Sequence, residues 1–149
     1  MDRLFGNRII FFAAAMLFGL FALSCSKGYN KYAVEHYAQG KIFFDNMDYE
    51  RSIDSFTKVL ELAPAGEENN RVYYMRGMSY SRNRQYDKAI YDFTRSLELT
   101  STGDKSFRFL IYQMRGDAYS GKSAWQSAIE DYWKAVAEDV DNKNAKYVY

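Results

Sequence analysis

Large apolar residues recur at intervals of three and four along most of the chain. Between residues 73 and 97 this spacing appears in two runs, which are separated by the polar segment Arg82-Asn83-Arg84-Gln85. Such intervals place side chains on one face of an α-helix. The pattern therefore predicts two helices joined by a tight turn, an αα-hairpin. Its marker positions are Tyr73, Gly77, Tyr80 and Arg84 in the first run and Ile90, Phe93 and Leu97 in the second.

The same hairpin pattern occurs three times. Residues 73–81 align with residues 112–120, and residues 40–56 align with residues 77–93. Each copy has a glycine inside its first helix, an aromatic residue three positions later, a small residue in its second helix and an aromatic residue four positions after that. Repetition at this period is typical of stacked-repeat proteins. The aligned positions are Gly40, Gly77 and Gly116; Phe43, Tyr80 and Tyr119; Ser52, Ala89 and Ala128; and Phe56, Phe93 and Tyr132.

This arrangement resembles the tetratricopeptide repeat (TPR) family, whose small and aromatic positions match those above. The resemblance implies an all-α superhelix, a TPR-like solenoid of about three helical hairpins at about residues 33–66, 70–103 and 109–140. Residues 141–149 are expected to form a partial or capping helix. The helix-ending proline of the family occurs once, at Pro64. Because the copies are longer than the family's repeat, we place the extra residues in the junctions between hairpins.

The residue types at the repeated positions predict how the helices pack. Glycine inside a helix costs about 1 kcal/mol relative to alanine, so its presence in all three copies predicts a close approach by a neighbouring helix. We expect Tyr49, Tyr86 and Trp125 to fill the turn ends of the hairpins. Two arginines beside the glycines and two aspartates in the second helices also recur, and we expect them to pair, Arg76 with Asp92 and Arg115 with Asp131.

The first 24 residues have the features of a secretion signal. Two arginines precede an uncharged run of 15 residues, Ile9 to Leu23. As a helix this run spans about 22 Å, less than the roughly 30 Å hydrocarbon core of a membrane. Its end at Ser24-Cys25 resembles a bacterial lipobox, which implies lipidation of Cys25 after cleavage of residues 1–24, with residues 25–30 as a tether. An uncleaved anchor and an ordinary signal with a spare thiol are the alternatives.

Charge and composition narrow the function classes. The sequence holds 20 Lys and Arg against 19 Asp and Glu, which does not favour nucleic-acid binding, because that needs a concentrated basic face. One Cys and one His are too few for a disulfide framework or a Cys/His zinc site. No catalytic constellation stands out, so we expect neither an enzyme, nor a metal, nor a cofactor. His36 is expected to pack or to be partly exposed.

In the TPR family the first helices of successive hairpins line a concave groove. The resemblance implies that groove residues lie three before, one after and four or five after the mid-helix glycine. These positions hold aromatic residues, a methionine and basic residues, which suit an extended peptide or a partner helix. With Arg71 added from the start of the second copy, they are Tyr37, Lys41, Phe44, Arg71, Tyr74, Met78, Arg82, Gln113, Asp117 and Ser120.

The expected partner is a protein or peptide in which a carboxylate is bound by Lys41, Arg71 or Arg82. Recognition of an acidic chaperone tail is not expected, because residues without amine or amide groups stand where the family's carboxylate-binding grooves have a Lys/Asn constellation. These residues are Tyr37, Met75, Leu110 and Met114.

The whole chain is therefore predicted to be a membrane-anchored TPR lipoprotein, an interaction scaffold or adaptor of the bacterial envelope on the periplasmic face or outer membrane. A small-molecule-binding accessory protein of an envelope transporter is the alternative. The pattern leaves the oligomeric state open.

Overall fold

The computed structural model describes residues 30–63 and 66–138 of the chain. Within these residues all regular secondary structure is helical. The predicted signal peptide, the lipidation site Cys25, Pro64 and the predicted capping helix at 141–149 lie outside the described residues. The α-helices are α1 (Lys31–Asp45), α2 (Tyr49–Leu62), α3 (Asn70–Arg82), α4 (Tyr86–Leu99), α5 (Lys105–Gly121) and α6 (Trp125–Glu138), and a 3₁₀ helix spans Glu67–Asn69.

The helices pair in chain order into three antiparallel hairpins that stack on one another. α1 packs with α2, α3 with α4 and α5 with α6, while α3 also packs on α2 and α5 on α4. The first helices meet as well, since α1 contacts α3 and α3 contacts α5. This confirms the predicted all-α stack and places α1, α3 and α5 side by side. None of these described helices is long and apolar enough to cross a membrane.

The third hairpin begins earlier than the predicted bound at residue 109. α5 starts at Lys105 because Asp104 caps it. The Asp104 side chain accepts a hydrogen bond from the backbone N–H of Phe107 at 3.2 Å, which satisfies a donor left free in the first helical turn. α1 and α2 begin in the same way, on Asn30 and Asp48.

All three hairpins turn through the same backbone motif. The residue after the C-cap of each first helix has a positive φ, namely Met47 at 60°, Arg84 at 58° and Ser123 at 62°. The following N–H then donates back to a carbonyl in the last helical turn, as in a Schellman motif. These bonds are Asp48 to Phe43, Gln85 to Tyr80 and Ala124 to Tyr119, each 2.9 Å long.

The mid-helix glycines lie where the second helix of the same hairpin comes closest. A Cβ atom placed on each glycine would lie closer than van der Waals contact distance to a ring on that helix. The prediction of a close helix approach is therefore confirmed. The distances from such a Cβ are 3.0 Å to Phe56 for Gly40, 2.9 Å to Phe93 for Gly77 and 2.7 Å to Tyr132 for Gly116.

Small residues also face each other between hairpins. At the first interface the Ser52 and Ser79 hydroxyls lie 2.8 Å apart, and both side chains are fully buried. The equivalent residues of the second and third hairpins are Ala89 and Ala118, also fully buried. Helices α3 and α5 can therefore approach α2 and α4 closely.

Two largely buried arginines connect neighbouring hairpins. Arg76 makes two hydrogen bonds of 2.8 Å to Asp92 in its own hairpin. It also donates to Thr57 Oγ1 of the preceding hairpin at 3.1 Å. The same arrangement recurs one hairpin later, where Arg115 bonds Asp131 and donates to Thr94 at 2.9 Å. The predicted pairing of these arginines is confirmed, and the bond to threonine links one hairpin to the next.

The predicted filling of the turn ends is wrong for Trp125. Tyr86 does pack there: a Cβ on Gly121 would lie 2.6 Å from the Tyr86 ring. Tyr49 is half-buried, with its ring centroid 5.7 Å from that of Phe44. Trp125, in contrast, is 61% exposed, because in the described part of the chain no helix follows α6 to cover it.

Candidate partner-binding groove

Helices α1, α3 and α5 line the side of the stack on which the sequence placed the groove, and a first cleft opens between α1 and α3. Its volume is about 290 Å³, and its walls come from Val34, Tyr37, Glu68, Arg71 and Val72. The Tyr37 ring stands edge-on to the buried Phe56 ring, with centroids 5.5 Å apart. The structure thus brings together Tyr37 and Arg71, beside two valines that the sequence interpretation had not selected.

A second cleft opens where the second and third hairpins meet. Its volume is about 340 Å³, and its lining includes Met78, Arg82, Arg84, Met114 and Asp117. Three of the predicted groove residues, Met78, Arg82 and Asp117, therefore line the same cleft. Both clefts are open to solvent, a form that suits side chains of a partner better than an enclosed small molecule.

Arg84 and Met114 are the groove residues that sequence reasoning missed. Arg84 lies outside the helical offsets from the glycine because it occupies the turn position with φ 58°, which directs its side chain independently of α3. Its only sequence signal is its alignment with Met47 and Ser123 in the other turns. Met114 was noted only as a residue unlike the family's polar positions.

The exposed cations of the groove have no carboxylate partner among the described residues. Lys41, Arg71 and Arg82 are exposed, and none takes part in the salt bridges of the described chain. The Arg71 guanidinium lies over the Phe107 ring, 4.8 Å from its centroid, a contact that holds the side chain without neutralising its charge. Three cations at positions predicted for the groove are therefore without an ion-pair partner among the described residues.

Other predicted groove residues serve the repeat core in part. Tyr74 is half-buried, with its ring 5.2 Å from Phe107 and 5.9 Å from Phe93 between centroids. Burial raises the pKa of Tyr74 above its usual value. Phe44 is half-buried against Tyr49 at the end of the first hairpin. Tyr74 therefore contributes mainly to the interface between the second and third hairpins.

In the third hairpin the predicted groove residues are polar. Gln113 and Ser120 are half-buried, and Asp117 is exposed. The Tyr132 hydroxyl donates a 2.8 Å hydrogen bond to Asp117 Oδ1. Burial, followed by this bond to a carboxylate, raises the pKa of Tyr132 to about 12. Asp117 is thus the acidic member of the second cleft, opposite two arginines.

The remaining titratable and polar groups of the described residues complete the account of the site. His36 is half-buried in α1, and within residues 30–63 and 66–138 no group of His, Cys, Asp and Glu is placed to hold a metal ion. Every fully buried side-chain nitrogen and oxygen of the described chain has a hydrogen-bond partner. The arrangement on this side of the stack is suited to contact with a polypeptide.

Two stretches of the sequence match models of the tetratricopeptide repeat, residues 36–65 and residues 71–102. The chain contains tetratricopeptide repeats. The third hairpin repeats the turn, the glycine contact and the arginine–aspartate pair of the second, so its packing follows the same scheme. No curated protein matches the sequence.

Solved TPR domains have the same fold. The second TPR domain of human RPAP3, in complex with the HSP70 peptide SGPTIEEVD, is similar with a TM-score of 0.64 and 24% identity, over 78% of this chain and 90% of that chain. The TPR2B domain of yeast Sti1, in a complex with pHsp70, gives a TM-score of 0.65 and 23% identity over 78% and 87%. At these levels of sequence identity the similarity shows that the fold is shared, and nothing more.

Proposed function

We propose that the α1/α3/α5 side of this protein binds an extended acidic segment of a partner protein. The observation that carries the proposal is the set of three exposed cations, Lys41, Arg71 and Arg82, which lack carboxylate partners among the described residues. The largely buried arginines of α3 and α5, Arg76 and Arg115, are each paired with an aspartate. Charge is therefore neutralised inside the stack and left available on the groove.

The two clefts make the groove selective for particular side chains of such a segment. The first cleft, between Tyr37 and Val72, accepts an apolar side chain because its walls are mostly hydrocarbon. The second cleft places Met78 and Met114 beside Arg82 and Arg84, so it accepts a side chain with an apolar stem and an acidic end. Carboxylates between these points would meet Arg71 and Lys41 in charge-assisted hydrogen bonds.

TPR domains of the same fold, solved with HSP70-derived partners, support the choice of a peptide as the ligand class. The apolar residues of the groove determine which part of a peptide it would bind. Because Met75, Leu110 and Met114 are not amines or amides, the proposal assigns affinity to internal carboxylates and apolar side chains rather than to a chain end.

The proposed setting is the bacterial envelope, with the repeats held at a membrane by lipid on Cys25. The support is the apolar run Ile9 to Leu23 followed by Ser24-Cys25 in the sequence. Each buried methylene of an acyl chain contributes about 0.8 kcal/mol to membrane affinity, and two or more chains anchor a protein stably. The function is thus an adaptor that holds a partner protein close to a membrane.

The groove is tested with a pool of short random peptides sorted by net charge. We expect the acidic fraction to bind, and the variant Lys41→Ala/Arg71→Ala/Arg82→Ala to lose about tenfold or more in affinity, since each exposed ion pair contributes up to about 1 kcal/mol. Binding should also weaken with added salt. The matched control is Lys58→Ala/Lys88→Ala/Arg95→Ala, which removes the same charge from α2 and α4, outside the groove. Equal loss in both variants, or preferential binding of the neutral fraction, would contradict the proposal.

The anchor is tested by fractionating cells that produce the chain or its Cys25→Ser variant. We expect the parent chain in the membrane fraction, at the mobility of a processed and acylated protein. The variant is expected to keep its uncleaved N-terminal segment or to appear in the soluble fraction. A variant that stays in the membrane fraction at the mobility of the parent chain would rule out lipidation at this residue.

A further inference from the structure

An apolar stripe is exposed along α6, at the end of the described stack. It consists of Trp125, Ile129 and Trp133, which are 61%, 49% and 70% exposed. Their spacing of four residues places them on one face of the helix. Large exposed apolar surfaces of this kind are typical of interaction sites. We call these three residues the α6 stripe.

The α6 stripe occupies the surface that stacks hairpins elsewhere in the molecule. The residues aligned with Ile129 are Ile53 and Ile90, which are buried and half-buried because α3 covers α2 and α5 covers α4. The residue aligned with Trp133 in the second hairpin is Thr94, which receives a hydrogen bond from Arg115 of the next hairpin. The stripe therefore points to where another helix would pack.

The opposite end of the stack does not fit this surface. Helices α3 and α5 place Val72 and Ile111 against the preceding hairpin, whereas the aligned residue of α1 is the exposed Glu35. A head-to-tail contact between two copies would bury this carboxylate against tryptophan and isoleucine, which is costly without a partner charge. In addition, α1 has Gln39 at the position where α3 and α5 have the arginine that donates to the preceding hairpin.

The stripe is instead complementary to itself. The order Trp-x-x-x-Ile-x-x-x-Trp reads the same in both directions along α6. If two α6 helices pack antiparallel about a two-fold axis at Ile129, isoleucine meets isoleucine and each Trp125 lies beside the other copy's Trp133. Self-complementary surfaces are what a two-fold interface requires, and tryptophan is the residue type that most often dominates binding energy.

From this pattern we propose that a second copy of this chain covers the α6 stripe, in an antiparallel two-fold contact. The three side chains provide roughly 400 Å² per copy, judged from the area that aromatic side chains bury. A standard stable interface buries about 800 Å² per partner, so the dimer should be reversible. This proposal is independent of the groove and of the lipid anchor.

Disulfide cross-linking of the full chain tests the proposal. The single cysteine is first changed, Cys25→Ser, and Ile129→Cys is then introduced, so that the new thiol is the only one. We expect oxidation to yield a covalent dimer, because residue 129 lies next to its own copy on the axis. The matched control is Tyr91→Cys on α4, where the native side chain is 61% exposed against 49% for Ile129, and it should yield at least fivefold less dimer.

A second variant separates a specific contact from random collision. Trp133→Glu, added to Ile129→Cys, should reduce the cross-linked dimer at least fivefold while leaving the thermal unfolding temperature unchanged, because Trp133 is largely exposed. The two tryptophans of the sequence both lie in the stripe, so their emission should shift to the red on dilution. The proposal would be overturned if Ile129→Cys gave no dimer or if residue 91 cross-linked equally well. It would also be overturned if the tryptophans were shielded at every dilution while sedimentation showed a monomer.

Discussion

Gly77 shows how one missing Cβ atom sets the distance between two helices. A Cβ atom added to Gly77 would lie only 2.9 Å from the Phe93 ring, which is too close for two carbon atoms. Phe93 is itself fully buried. The ring cannot withdraw, because Ala89, Leu97 and their neighbours surround it in the same core cluster. The glycine therefore allows α3 and α4 to pack with an aromatic ring between them.

We expect Gly77→Ala to destabilise the protein by about 1 kcal/mol. Overpacking a dense core costs about 1–3 kcal/mol, and the better helix propensity of alanine recovers about 1 kcal/mol. The measurement is the free energy of unfolding in urea. Gly103→Ala is the control, since the nearest atom to a Cβ there is 3.7 Å away. A Gly77→Ala variant as stable as the parent chain would show that the ring gives way.

The packing role of such glycines can be predicted from the sequence, but the residues that adopt a positive φ in the turns cannot. Glycine inside an apolar helix pattern is a clear signal, because the pattern gives no other reason for it. The turn residues Met47, Arg84 and Ser123 give no such signal. A positive φ usually selects glycine or asparagine, and here the hydrogen bonds of the turn impose it on other side chains.

At the scale of helices, the arginine of each later hairpin joins three elements. Arg115 on α5 binds Asp131 on α6 through two bonds and Thr94 on α4 through a third. Asp131 is 1% exposed, and its other cationic contact is the longer one to Lys134 at 3.4 Å, so its charge depends mainly on Arg115. The pairing was predictable because arginine and aspartate recur at aligned positions. The threonine was not, because a hydroxyl on a helix surface has many possible partners.

We expect Arg115→Ala to cost about 3 kcal/mol in the free energy of unfolding, because it leaves the buried Asp131 carboxylate with only the longer, 3.4 Å contact to Lys134. The control is Arg95→Ala, which removes the same side chain from an exposed ion pair with Glu98 and should cost about 0.5 kcal/mol or less. Equal losses in the two variants, measured by urea unfolding, would contradict the role assigned to Arg115.

Helix boundaries and end effects were harder to predict than the helices themselves. The periodic pattern located the six helices of the described residues, yet the predicted start of the third hairpin, residue 109, falls four residues after the start of α5 at Lys105. Trp125 aligns with Tyr86, but the structure covers only Tyr86, since a following hairpin is needed to bury that position. Alignment among repeats therefore predicts on which face of a helix a side chain lies, but it does not predict whether that side chain is buried.

At the scale of the whole molecule, stacking gathers on one side residues that are far apart in the sequence. Lys41, Arg71 and Arg82 come from α1 and α3, and Asp117 comes from α5. The resemblance to a known repeat predicts that they share one side of the stack. The two clefts did not follow from it, because they depend on how Val34, Arg84 and Met114 are oriented.

The most direct test of the groove places a photo-reactive amino acid at single positions of the chain in living cells. The account predicts covalent adducts with a partner protein from positions 41 and 78, on α1 and α3. It predicts none from position 91 on α4, which is exposed but lies outside the groove. Adducts from position 91 alone would contradict the assignment of partner binding to the α1/α3/α5 side.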